Sequence, residues 1–182
     1  MRPLVVAATR AEAAYVPAGI EVVVTGMGKT PAAVATARAL ARMNNLDDLE
    51  VVNLGTAGAL KDGLEGIHEP GIVMNHDINA DAIRALGYDP QERLAIPSGD
   101  GTVLASGDVF VTDPEVRARL SLSADLVDME GYAVTYAAQH FGVPVRLVKH
   151  VSDNADETAR DWPQLVEASA RMLGDWLVSY LR

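Results

Sequence analysis

Residues Ala124 to Asp156, ADLVDMEGYAVTYAAQHFGVPVRLVKHVSDNAD, carry the pattern of a strand, a helix and a second strand. Leu126-Val127 is a short apolar run. Gly131 to Phe141 has helical spacing, with Ala133, Tyr136, Ala137 and His140 on related faces. Val143 to Val151 is apolar and β-branched, the composition of a strand buried on both faces. The charges stand where the elements end. Asp128 and Glu130 lie at the first strand-to-helix junction, and Ser152, Asp153 and Asp156 follow the second strand. Open α/β sheets bind ligands at the carboxyl ends of their strands, so these two acidic clusters are expected to face one pocket.

Upstream, Leu4 to Ala8 is predicted as a first buried strand. Thr9 followed three residues later by Glu12 has the spacing of a capping box, and Glu12 is equally a carboxylate held at a strand end. Ile20 to Thr25 forms a second apolar strand. It is followed by Gly26-Met27-Gly28-Lys29-Thr30-Pro31 and a helix over Ala32 to Met43. A glycine turn feeding a helix N-terminus suits an anion or a sugar. A phosphate-binding P-loop is disfavoured, because Val23 stands where its first glycine belongs. Leu49 to Leu54 is a third strand that ends in the small residues Gly55-Thr56-Ala57-Gly58-Ala59, which admit a ligand or another backbone closely.

Between that strand and the organising stretch, Lys61 to Pro70 and Asp89 to Asp100 read as loops. Gly71 to Met74 and Thr102 to Ser106 read as strands, and Ala80 to Leu86 as a helix. Asp113-Pro114 is a helix start. His76 beside Asp77 is a candidate polar pair, and Phe110 near a strand end is a candidate stacking ring. Ala159 to Leu181 is predicted as a long amphipathic helix that covers a sheet face and carries no chemistry. The alternation of strands and helices gives one α/β domain over residues 1–182, three layers deep, with helices flanking a mixed, partly parallel sheet.

Composition narrows the function. The 182 residues are 49% hydrophobic, enough for a full core. No cysteine is present, which removes disulfides and thiolate metal sites. A net charge of −10 and 5% aromatic content argue against nucleic acid and anionic membranes as partners. The start lacks a signal-peptide pattern and no run reaches the length of a membrane span, so the chain reads as cytoplasmic.

Suppose Glu12, Glu130 and Asp153 converge. Three carboxylates without a basic cluster suit chemistry that develops positive charge, and glycosidic cleavage passes through an oxocarbenium-like transition state. One carboxyl protonates the leaving group, one activates water, and one accepts hydrogen bonds from two vicinal sugar hydroxyls. Glu130, beside the apolar Met129, suits the sugar. Repulsion among close carboxylates leaves one protonated near neutral pH, and Asp153 is the expected holder. Magnesium is the competing use of such a trio.

Motifs along the chain resemble the purine nucleoside phosphorylase and nucleosidase superfamily, above all its 5′-methylthioadenosine/S-adenosylhomocysteine nucleosidase branch. They are Gly26-Met27-Gly28-Lys29, Asn53-Leu54-Gly55-Thr56-Ala57-Gly58, Ala105-Ser106-Gly107-Asp108-Val109-Phe110, Asp128-Met129-Glu130-Gly131 and Ser152-Asp153-Asn154-Ala155-Asp156, in the family's order. The resemblance implies a nucleoside phosphorylase-like fold, a nucleoside substrate, no metal or organic cofactor, and a homodimer. It implies that Asp153 protonates purine N7, that Glu12 activates water, and that Met129 and Glu130 hold the ribose. It further implies that Phe110 stacks on the base, that the Val111 backbone reads its edge, and that Gly58 lines the base side. Ser152, Thr56, His76 and Lys149 are further candidates.

The chain departs from the family in three places. Only Ala13 to Glu21 stands where a longer hairpin is usual, Lys149 replaces an arginine, and the segment around His76 and Asp77 is only loosely similar. The phosphate-holding arginines of the phosphorylases are also missing, with Lys29 the sole cation near those places, so water is the expected nucleophile and a phosphorylase is the alternative. A nucleoside-binding protein without catalysis is a further alternative. Methylthioadenosine, adenosylhomocysteine, 5′-deoxyadenosine and futalosine all remain open as substrates.

Overall fold

The central element is one long strand, β3 (Leu49–Ala59), which is buried over nearly all its length. It runs between β1 (Arg2–Ala7) and β9 (Val145–Asp153), parallel to both. Beyond the end of β1 it pairs antiparallel with β8 (Leu126–Asp128) through Gly58 and Ala59. The computed structural model describes residues 1–157, 159 and 162–182. Along the sheet the order is β2 (Glu21–Val24), β1, β3, β8, β7 (Val103–Ser106), β5 (Ile72–Asn75) and β6 (Arg93–Ala95). Off this path, β9 pairs with β3 and with β4 (Ile67–His68). Parallel and antiparallel ladders both occur, so the sheet is mixed, as the sequence predicts.

Each inner strand is apolar on both faces because helices cover both. Leu4, Val6, Val51 and Leu147 pack with α1 (Lys29–Ala41) and α4 (Gly131–His140). Their neighbours Val5, Val52 and Val148 point the other way, onto Leu173 and Leu177 of α5 (Trp162–Tyr180). A third cluster joins Ala105 and Val127 to Leu120 of α3 (Pro114–Leu120), whose N-cap Asp113 accepts from the Glu115 amide. The remaining helix, α2 (Ala80–Ala85), buries none of its side chains and is capped by Asn79.

Two sequence expectations are corrected, and part of a third lies outside the described residues. The small residues after Leu54 continue β3 to Ala59, because partners on both sides satisfy the backbone there. The two predicted loops each contain a short strand, β4 and β6, formed by pairing along β9 and β5 rather than by local propensity. The last helix is described from Trp162, and Arg160 and Asp161 of its predicted first turn lie outside the described residues. The short connection after β1 runs as turns and is anchored on α5. There the Tyr15 hydroxyl donates to Glu167 at 2.7 Å, and Tyr15 lies where a side chain at Gly174 would clash.

Candidate active site

The carboxyl ends of β1, β3, β8 and β9 surround a cavity of about 390 Å³. Glu12, Thr56, Gly58, Phe110, Val111, Met129, Glu130, Ser152 and Asp153 all line it. Sequence positions spread over more than a hundred residues thus meet in one place, at the strand ends where α/β sheets bind ligands.

Glu12 satisfies both of its sequence readings at once. Oε2 accepts from the Thr9 amide at 3.1 Å and the Thr9 hydroxyl at 3.0 Å, while the Glu12 amide donates back to Thr9 Oγ1 at 3.2 Å. This is the reciprocal pattern of a capping box. Oε1 faces β3 and accepts from the Thr56 amide at 2.9 Å and the Thr56 hydroxyl at 3.0 Å. The carboxylate is 5% exposed and has its orientation set from both sides.

Asp153 owes its position to an irregular ladder. The register between β3 and β9 shifts between Ala57 and Gly58, which sets Gly58 opposite Asp153. A β-carbon at Gly58 would lie 3.0 Å from Asp153 Oδ1 and 2.9 Å from Ala155 Cβ, so only glycine leaves room there. The Ala155 amide donates to Oδ1 at 2.8 Å and the Ser152 hydroxyl to Oδ2 at 2.7 Å.

Glu130 immediately precedes α4 but does not cap it. Asp128 takes that role, accepting from the Gly131 amide at 2.8 Å. Glu130 Oε1 instead accepts from the Gly28 amide at 2.7 Å, at the start of α1, where φ of +96° requires glycine. Burial, helped by the neighbouring charge of Asp128, pushes the Glu130 carboxyl up to about 7. The carboxyl that burial raises is thus Glu130, the one the sequence reading placed on the ribose. It is 8% exposed.

Two candidates do not line the cavity. Lys149, 1% exposed, lies beneath it and pairs with Asp128 Oδ2 at 2.8 Å. Asp128 also accepts from the Ser106 hydroxyl. His76 is tucked against Gly107, with Nε2 buried and lacking a hydrogen-bond partner, and burial lowers its basicity. Its neighbour Asp77 is opposed by burial, but the Lys29 ammonium and the Asp108 amide hold it below the ordinary carboxylate value.

The donors of the glycine turn at Gly28 and Lys29 are already engaged within the protein. The Gly28 amide is taken by Glu130, the Lys29 amide by Asp108 Oδ1 at 2.7 Å, and the Lys29 ammonium by Asn75 and Asp77. The lining contains four carboxylates, Glu12, Asp128, Glu130 and Asp153, and among the described lining residues no Lys or Arg. Among the described residues, no group of three or more His, Cys, Asp or Glu side chains is arranged to hold a metal ion. No helix among them is long and apolar enough to cross a membrane.

Sequence reasoning missed Met27 and Trp162, and it placed Asp128 in a pocket-facing acidic cluster without giving it a role. Met27 lies in the quoted glycine turn and was legible there. Trp162 belongs to the last helix, expected from its sequence to cover a sheet face and carry no chemistry. It lines the cavity, and its indole Nε1 donates to Thr56 Oγ1 at 2.8 Å across 106 positions of sequence, a contact that no local pattern encodes.

The sequence model of the phosphorylase superfamily matches residues 67–180. An aminodeoxyfutalosine nucleosidase of Helicobacter pylori is 37% identical over 92 residues, and the match spans 49% of this chain and 39% of that relative. A 5′-methylthioadenosine/S-adenosylhomocysteine nucleosidase of Shewanella denitrificans is 31% identical over 170 residues, spanning 76% of this chain and 71% of the relative. A Helicobacter pylori nucleosidase crystallised with 5′-methylthioadenosine in its active site shares the fold. Its TM-score is 0.84 at 23% identity, over 99% of this chain and 97% of that one. On the matched length and the order of the motifs, the chain belongs to the phosphorylase superfamily and is similar to its nucleosidases.

Proposed function

We propose that the protein is a purine nucleosidase that hydrolyses the N-glycosidic bond of adenosine-type nucleosides such as 5′-methylthioadenosine or S-adenosylhomocysteine. The observation that carries this reading is the convergence of Glu12, Glu130 and Asp153 on one cavity without a Lys or Arg in its described lining. In the reaction, Glu12 takes a proton from water and the water oxygen bonds to C1′. The C1′–N9 bond breaks, and Asp153 delivers its proton to N7 so that the base leaves neutral. Glu130 accepts hydrogen bonds from the 2′- and 3′-hydroxyls, beside Met129. Phe110 stacks on the purine, the Val111 backbone reads its edge, and the absent side chain at Gly58 leaves room for Asp153. A second copy of the chain is the proposed cover for the mouth, where Met27, Val109 and Phe110 are each about half exposed.

The occupied amides at the start of α1 and the paired Lys29 support water over phosphate as nucleophile. Adenine release from 5′-methylthioadenosine, followed by chromatography with and without phosphate, tests the reading. Adenine with free methylthioribose in both buffers is expected. Release only with phosphate identifies a phosphorylase, and no base released from this nucleoside, adenosylhomocysteine, 5′-deoxyadenosine or futalosine in either buffer removes the catalytic reading.

A further inference from the structure

The start of α5 reaches into the site through one polar contact. The Trp162 indole nitrogen can only donate, and it donates to Thr56 Oγ1 at 2.8 Å. That hydroxyl carries a single proton, which lies on the side of Glu12 Oε1, 3.0 Å away. The direction of both bonds is thereby determined: indole to hydroxyl, hydroxyl to carboxylate. A threonine hydroxyl otherwise rotates to suit whichever acceptor is near, water included. Glu12 keeps three further donors, the Thr56 amide and the amide and hydroxyl of Thr9, so its position does not depend on the indole. The indole determines where the Thr56 proton points.

We infer that Trp162 is a positioning residue for Glu12. By occupying the acceptor side of the Thr56 hydroxyl, it commits that proton to Oε1 and leaves Glu12 a defined face toward the cavity. The inference rests on the proposed role of Glu12 as the group that activates water. It also makes the docking of α5 on the cavity a condition for an ordered base, because Trp162 is the first residue of the described helix.

Adenine release from 5′-methylthioadenosine is measured for the unaltered chain, Trp162→Phe, Thr56→Val and the double variant. Phenylalanine keeps a ring in the wall and removes only the donor. We expect kcat to fall about tenfold in Trp162→Phe with KM within about twofold, the size of one lost hydrogen bond acting on the barrier. The double variant is expected to be no slower than Thr56→Val, because both changes remove the same link. A kcat for Trp162→Phe within about twofold of the unaltered chain, or losses that multiply in the double variant, overturns the inference. The indole Nε1–H resonance of Trp162, assigned by its loss in Trp162→Phe, reads the same link without turnover. At a fixed pH it is expected to shift in Glu12→Gln, because the Thr56 hydroxyl joins the two side chains. A resonance unmoved in Glu12→Gln overturns the inference even if the unaltered chain releases no adenine, a result that by itself removes only the nucleosidase reading.

Discussion

The Gly28 amide and Glu130 Oε1 are 2.7 Å apart, joining residues separated by 102 positions at the starts of α1 and α4. This bond places a carboxylate of the protein where a helix N-terminus otherwise attracts a free anion. It also holds Glu130 in a buried position next to Asp128, whose charge works against its ionisation.

Stability should therefore depend on pH through Glu130. Its carboxyl is raised from an ordinary 4.5 to about 7, so the folded chain binds this proton more tightly than the unfolded chain does. The resulting stability is fully present below about 4.5 and is lost as pH rises through about 7, on the order of 3 kcal/mol in all. Urea midpoints at pH 5 and pH 8 should differ in this sense for the unaltered chain and converge in Glu130→Gln. Nucleoside affinity runs the opposite way, since ribose hydroxyls donate best to the ionised form. KM should fall as pH rises through about 7, and Glu130→Gln should lose most of the preference for ribonucleosides over 2′-deoxynucleosides.

Asp153→Asn removes the proposed proton donor while keeping a side chain of the same shape that can still accept from the Ala155 amide. We expect kcat to fall at least about a hundredfold with an unchanged melting temperature. Turnover near that of the unaltered chain would refute the role.

Lys149→Met should destabilise the fold rather than alter specificity. It leaves Asp128 buried without its cation, at a cost of about 3–5 kcal/mol. Adding Asp128→Asn should recover part of that loss, and chemical denaturation of the single and double variants measures both effects.

Gly58→Ala should reduce activity more than stability. Its new methyl would meet Asp153 Oδ1 at 3.0 Å and Ala155 Cβ at 2.9 Å, and the carboxyl is the more easily moved of the two. A stability loss of about 1–3 kcal/mol is expected from overpacking. A drop in kcat of about tenfold or more is expected from the displaced acid. A kcat within about twofold of the unaltered chain would show that Asp153 is not held by this contact.

Much of the chain was legible without coordinates, because its signals are local. The apolar runs around Leu4, Val51 and Val148, the helix start at Asp113-Pro114, and the acidic residues after β8 and β9 each declare themselves within a few positions. From these follow the three layers and the expectation that the acidic residues after β8 and β9 face one pocket. The tertiary structure decided what depends on distant partners. β4 and β6 exist only because β9 and β5 present unpaired edges. Burial, with Asp128 alongside, raised the Glu130 carboxyl. Lys149 became a buried counter-ion, His76 turned away from the cavity, and Trp162 entered it. Hydrophobic periodicity and capping act over one or two turns of chain, whereas desolvation and charge pairing are set by whatever the fold brings alongside.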